Sequence, residues 1–407
     1  MKTFALSRKG KLALLLVAVL LASATLAGCA AGTRRIAQGW AGGIVSGDIL
    51  FVGSMSGQLV ALDPADGSPV GPPVTFTVQV PSGGFGCTPA SASAVPIYGS
   101  PVISGDVVFV GGYDGKVYAI RFDENGLREQ TMREYNPRLP DGSPAGAIIG
   151  GLAVHGNRII FGTSSGYVFA LDYDDGFKPA PGNWPFYTGE KIWSAPVVVG
   201  DTVFVTSFSR SLYALNVDDG TSRWAAPFHT DGTLTATPAV AGGRVYVGSF
   251  ARRFYAVDAA TGQEIWCFPA DDTETQAPQS WFWATPLVHN GVVYAPNLDG
   301  KVYALDAATG SLRHVYDLGA PVSSAPVLVG DTLVVAAGAT NRSRHEGKVF
   351  AIDTRTQTQR LLADIGERVH APLFASDSTV YVHTMVNSLY AIDVATGVSQ
   401  KFSLESE

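Results

Sequence analysis

Short apolar runs recur along the chain at a steady interval. Runs opening at Leu59, Val117, Val168, Leu212, Phe254, Val302, Val349 and Leu389 all read as two large apolar residues, Ala, then an aliphatic residue. A second apolar run stands before each, behind a Gly-Asp-like turn, as in Gly47-Asp48 before Ile49–Val52 and Gly200-Asp201 before Thr202–Val205. Still earlier lies a segment of Ser/Thr-x-Pro character, clearest in Ser194-Ala195-Pro196 and Ser324-Ala325-Pro326. After the repeated run comes Asp-x-x-Thr-Gly at Asp258–Gly262, Asp306–Gly310 and Asp393–Gly397, with Trp266 further on and, after a variant turn, Trp224. Gly supplies the positive φ such a turn needs, and Asp bonds nearby backbone N–H groups. One unit is therefore four short antiparallel strands, A to D. Neighbouring copies lie about 40 to 58 residues apart, which suits a propeller blade and leaves no room for helices. The pattern predicts an all-β chain, an eight-bladed β-propeller of four-stranded antiparallel blades, whose radial closure protects the strand edges.

The Asp-x-x-Thr-Gly-x-x-x-Trp ending resembles the PQQ-like propeller repeat, and the likeness runs from about Trp40 to Phe402. Blades 1 to 3 lack the Thr-Gly-x-x-x-Trp ending, and Arg121 stands where the other blades place Asp or Asn. The first residues read as an export signal. Lys2, Arg8, Lys9 and Lys11 precede the apolar stretch Leu12 to Leu21, which is too short to span a bilayer comfortably. Leu26-Ala27-Gly28-Cys29 then resembles the lipobox at which bacterial lipoproteins are cleaved and acylated on the cysteine. The expected organisation is a signal over 1–29 with lipidation at Cys29, a tether over 30–39 and the propeller over 40–407. Eight such blades on a lipoprotein are similar to the propeller lipoproteins of the outer-membrane β-barrel assembly machinery. That resemblance implies a monomeric, extracytoplasmic scaffold with protein partners in the cell envelope. It would face the periplasm from the outer membrane in a host that has one, and otherwise stand on the outer leaflet of the cell membrane.

Composition narrows the alternatives. Charged residues make up 15% of the chain, with 46 glycines and a net charge of -7, so no basic footprint for nucleic acid exists. Beyond the lipobox only Cys87 and Cys267 remain, so there is no dense disulfide framework, and their pairing is left open. His155 and His289 fall in equivalent turns of blades 3 and 6, far apart around the ring, and no metal site is expected. Neither a nucleophile elbow nor a phosphate loop occurs. Two further readings stand beside the scaffold. One is a dehydrogenase carrying pyrroloquinoline quinone and calcium on the axis, as enzymes with this repeat do; the isolated cysteines and the turn-bound Asp residues argue against it. The other is a carbohydrate- or peptide-binding lipoprotein. No catalytic residue and no cofactor is assigned.

Candidate binding residues follow from the topology. D-to-A and B-to-C connections emerge on one face, and long connections are expected there at Pro81 to Pro96, Gln130 to Ala147, Pro179 to Tyr187, Asp271 to Phe282 and Gly338 to Glu346. Three residues before each Ser/Thr-x-Pro proline stand Trp40, Tyr98, Ile149, Trp193, Thr235, Trp283, Ser323 and Val369. The aromatics among them serve either as a stacking platform or as packing between blades. Trp281 lies in the Asp271 to Phe282 connection, where no repeat position requires a ring. Arg252, Arg253, Arg342 and Arg344 fall in B-to-C loops, where guanidinium groups grip carboxylates or are simply solvated. The lipobox reading is checked directly: Cys29→Ser should abolish lipid labelling and release the protein from the membrane without unfolding it, and undiminished labelling would refute it.

Overall fold

The computed structural model describes residues 39–80, 91–174, 176–271, 275–338 and 347–404. It contains eight antiparallel blades and, among the described residues, no helix. Strands follow one another across every sheet in the order A-B-C-D, so each blade is complete within its own stretch of chain. Blade 1 uses Gly43–Ser46, Ile49–Gly53, Gln58–Leu62 and Val74–Thr75, and blade 8 uses Phe374–Ser376, Thr379–His383, Ser388–Asp393 and Ser399–Ser403. Strand A of each is short and innermost, touching strand A of its neighbours. Strands B and C are apolar on both faces because each blade is covered by another on either side, which explains the near-continuous burial of Ile49–Gly53 and Val203–Ser207.

Among the described residues no strand is shared between blade 1 and blade 8. Blade 8 instead packs Tyr381, Leu389 and Phe402 against Leu50, Val52 and Leu62 of blade 1. Backbone and side-chain bonds seal the seam: His383 Nδ1 donates to the Ala41 carbonyl at 2.7 Å, and the Met55 N–H donates to Asn387 Oδ1 at 2.8 Å. The Tyr381 hydroxyl reaches the Pro64 carbonyl at 3.0 Å.

One contact recurs at four of the eight junctions between blades. Trp224 on blade 4 lies against Gly262 in the C-to-D turn of blade 5, and Trp266 lies against Gly310 of blade 6. A Cβ on these glycines would stand 2.5 and 2.6 Å from the respective indole, so only Gly fits, and its positive φ (74° and 76°) closes the turn as well. Trp224 Nε1 donates to the Ala259 carbonyl at 3.1 Å and Trp266 Nε1 to Ala307 at 3.2 Å. The turn is rigid because Asp258 Oδ1 accepts the N–H groups of Ala260 and Thr261 and the Thr261 hydroxyl. Asp306 does the same in blade 6, and the Arg313 guanidinium together with the Thr309 N–H holds its carboxyl down to about 2. Phe402 takes the tryptophan's place against Gly67 where blade 8 meets blade 1.

Two expectations about connections need correction. Pro179 to Tyr187 is not a D-to-A loop: Lys178–Pro179 and Phe186–Tyr187 both pair with strand C of blade 3, so the segment interrupts strand D at the outer edge. The interruption brings Trp184 against Gly220 of blade 4, so blade 3 makes the docking contact from inside an insertion. Likewise, Gln130 to Tyr135 is strand and not loop. Arg121 replaces the turn Asp, strand C runs on to Asp123, and strand D extends over Gly126–Tyr135. Its register breaks at a bulge where Thr131 Oγ1 accepts the Arg121 N–H and donates to the Arg128 carbonyl. Of the blade 1 insertion, Thr77–Val80 and Ser91–Ala94 form a two-stranded hairpin, while 81–90 and the loop 339–346 of blade 7 lie outside the described residues.

Two outcomes follow for stability. Trp266→Ala should cost about 3 to 5 kcal/mol through the cavity left at the blade 5–6 junction, measured by denaturant titration. His383 is buried at the ring seam, and burial pushes its pKa below the usual imidazole value. Because the unfolded chain then binds the proton more readily, stability should fall as the pH drops below about 6.5. His370 adds to the loss in the same window. His383→Gln should flatten part of that slope; an unchanged slope would show that the seam is not where the acid acts.

Candidate functional site

Around the axis the innermost strands frame a cavity of about 350 Å³. Trp40, Tyr98, Ile149, Trp193, Thr235, Trp283 and Ser323 all line it, each six residues before the last residue of its strand A. The eighth position is His370 and not Val369. Register is set by the A-to-B turn, and Pro372 sits one residue further from that turn than the prolines of other blades, so counting from the proline misplaces the ring by one. Val369 is buried in the blade 7–8 core and bridges to Thr384. Ser323 Oγ lies 2.8 Å from His370 Nδ1 and donates to the Val369 carbonyl at 3.3 Å. Burial pushes the His370 pKa down to about 4, with Arg368 adding to the shift, so the ring is neutral near pH 7.

Small polar side chains in the Ser/Thr-x-Pro segments are mostly structural. Ser194 Oγ donates to the Thr206 carbonyl at 3.0 Å, Ser324 Oγ to Ala336 at 3.1 Å, and Thr237 Oγ1 accepts the Ala195 N–H from the next blade at 3.0 Å. Two groups break the pattern: Trp193 Nε1 and Thr235 Oγ1 are buried at the cavity with no hydrogen-bond partner. None of the described side chains lining the cavity carries a charge.

Above this ring the B-to-C turns build a second tier that the sequence pattern did not disclose. Tyr113, Phe208, Phe250, Leu298 and Met385 each donate their backbone N–H to the carbonyl two residues before a ring position. Phe208 reaches Lys191 at 2.9 Å, Phe250 reaches Thr233 at 3.0 Å and Leu298 reaches Trp281 at 3.1 Å. Trp281 is therefore held by its backbone at a repeat position while its side chain, 47% exposed, stacks on Phe250 at 4.6 Å and 11°. Phe250 stacks in turn on Trp283 at 5.7 Å, Trp283 meets Trp193 edge-on at 6.3 Å, and Trp193 meets Phe208 at 4.7 Å. Five rings thus form one arc over blades 4 to 6. On the other side His370, Trp40, Tyr98 and Tyr113 form a second arc, with Trp40 and Tyr98 4.5 Å apart.

The arginines separate. Arg252 is exposed at the left-handed turn position, φ 67°, beside the aromatic arc. Arg253 is engaged within the chain, its Nε 3.3 Å from Asp231 Oδ2, and Asp231 also accepts the Tyr255 hydroxyl at 2.7 Å. Arg342, Arg344, Cys29 and Cys87 lie outside the described residues. No cluster of three or more His, Cys, Asp or Glu able to hold a metal occurs among the described residues. The cavity does not fit a quinone bearing three carboxylates: its lining offers no Lys or Arg to meet them and no carboxylates to hold a calcium ion.

Comparisons with known proteins agree with the repeat. A curated relative, the outer membrane protein assembly factor BamB of Shewanella oneidensis, is 30% identical over 121 residues, a match that spans 27% of this chain and 30% of the relative. The crystal structure of BamB from Moraxella catarrhalis superposes with a TM-score of 0.58 at 18% identity, covering 75% of this chain and 88% of that one. A europium-containing methanol dehydrogenase superposes with a TM-score of 0.56 at 15% identity, covering 75% and 78%, which at such identity speaks for the fold alone. The family described as outer membrane protein assembly factor BamB matches residues 23–179 and 183–401, nearly the whole propeller, and the chain belongs to it.

Proposed function

We propose that this chain is a non-enzymatic, lipid-anchored scaffold that holds protein partners during outer-membrane protein assembly. Cys29 would carry the anchor, and the mouth of the propeller would carry the partner. The observation that carries the reading is the arc of five rings running from Phe208 to Trp281, presented by rigid turns and ending on a half-exposed indole. Aromatic side chains lose little conformational freedom on binding, and Trp and Tyr are over-represented among the residues that dominate interface energies. Arg252 stands next to the arc, where its guanidinium can donate a fork of two bonds to a partner's carboxylate. The opposite face is made of short Asp-bonded turns whose polar groups are already satisfied internally, which leaves less for a partner to engage. Membership of the assembly-factor family supports the same reading. A quinoprotein reading is disfavoured by the chemistry of the axial lining.

Crosslinking the intact lipoprotein in its own membrane would identify the partner. Against that partner, Trp281→Ala should weaken binding by about 2 kcal/mol or more while leaving thermal stability nearly unchanged. Gln263→Ala, in the blade 5 turn on the opposite face, should affect neither. The proposal fails if binding survives Trp281→Ala and is lost with Gln263→Ala.

A further inference from the structure

The axial cavity lies beneath the aromatic arc and has a chemistry of its own. Its volume of about 350 Å³ falls at the small end of the roughly 300 to 1,000 Å³ usual for small-molecule sites. Flat apolar walls stand on two sides: Trp193 and Trp283, inclined at 70°, and across the axis Trp40 and Tyr98, inclined at 78°. Between them lie polar groups with nothing to bond. Thr235 is only 6% exposed, yet its hydroxyl is unpartnered, as is Trp193 Nε1, and the His370 imidazole lines the cavity with them. Elsewhere in the ring of strands A the same kinds of groups are satisfied by the backbone, as at Ser194 and Ser324. Buried donors left unpaired are costly, and where two of them line one cavity a guest can complete the bonding.

The same features restrict the guest. A charged molecule would meet no counter-charge. A purely apolar ring would satisfy the walls but leave the Thr235 hydroxyl and the Trp193 N–H unpaired. A ring with apolar C–H faces and hydroxyl edges meets both demands, because its faces lie on the indoles while its edges bond the polar groups. We infer that the axial cavity binds one neutral saccharide ring, held between the tryptophans and hydrogen-bonded by Trp193 Nε1, Thr235 and His370. The site shares Trp193 and Trp283 with the rim above it, but its polar groups lie below the protein-binding mouth and the inference does not depend on that reading.

The test uses the full-length chain in detergent, titrated calorimetrically and by tryptophan fluorescence. Glucose, galactose, N-acetylglucosamine and maltose are the neutral probes, glucuronate the charged one and p-cresol the apolar one. At least one neutral sugar should bind saturably and shift the tryptophan emission, more tightly than glucuronate or p-cresol. Trp193→Phe, which keeps a ring but removes the N–H, and Thr235→Val should each weaken it about three- to tenfold. Thr235→Val removes a buried unpaired hydroxyl, so the variant should fold at least as stably as the parent. Trp281→Ala should leave sugar affinity unchanged, which separates failure here from failure of the scaffold reading. The inference is overturned if none of the four sugars saturates, if p-cresol or glucuronate binds more tightly than all of them, or if both cavity variants bind as the parent does.

Discussion

The contact on which the rest of the molecule depends is the seating of an outer-strand ring against a glycine in the next blade's turn. Trp184 on Gly220, Trp224 on Gly262, Trp266 on Gly310 and Phe402 on Gly67 repeat it around the circle. Each pair fixes the spacing and tilt of one blade against another through bulk and backbone sterics, without any shared strand. Since blades 1 and 8 are each complete, closure rests on packing and on the few bonds at the seam between His383, Asn387 and Tyr381 and the first blade. The axial cavity and its rim inherit their geometry from this arrangement, because the position of every strand A follows from how its blade is docked.

Much of that was legible in the chain because it is written eight times. The Asp-x-x-Thr-Gly turns and the paired apolar runs recur with enough regularity to give blade number and strand order. Single departures were not legible. Trp184 reaches its glycine from an interruption in strand D, which looks in sequence like an ordinary loop. In blade 8 the proline stands one residue nearer the ring position, so a proline-anchored count selects buried Val369 in place of His370. Tyr113, Phe208 and Phe250 were missed because no motif flags them. Their signal is positional, one or two residues after strand B and two before a left-handed turn residue such as Gly115, Arg210 or Arg252, and it emerges only once the backbone bonds to the segment before strand A are known.

The two faces differ in what they leave unspent. On one, turn aspartates accept threonine hydroxyls and backbone N–H groups and are held below the usual carboxylate value by those bonds, the Thr396 hydroxyl leading at Asp393 and the Thr261 N–H at Asp258. On the other, backbone bonds are just as complete, but the side chains they position are large, apolar and in part exposed. A rim of rings above a neutral, aromatic cavity is suited to binding, and the described side chains of its lining offer no charged cradle for a cofactor.

The most direct measurement is site-specific photo-crosslinking in the intact cell envelope, with the reactive group placed in turn at Arg210 and Arg252 on the aromatic rim and at Gln263 and Thr309 on the opposite turns. All four positions are exposed, so accessibility does not bias the comparison. The account predicts adducts to the same envelope protein from both rim positions and none from the opposite pair. Adducts formed only from Gln263 and Thr309 would contradict it.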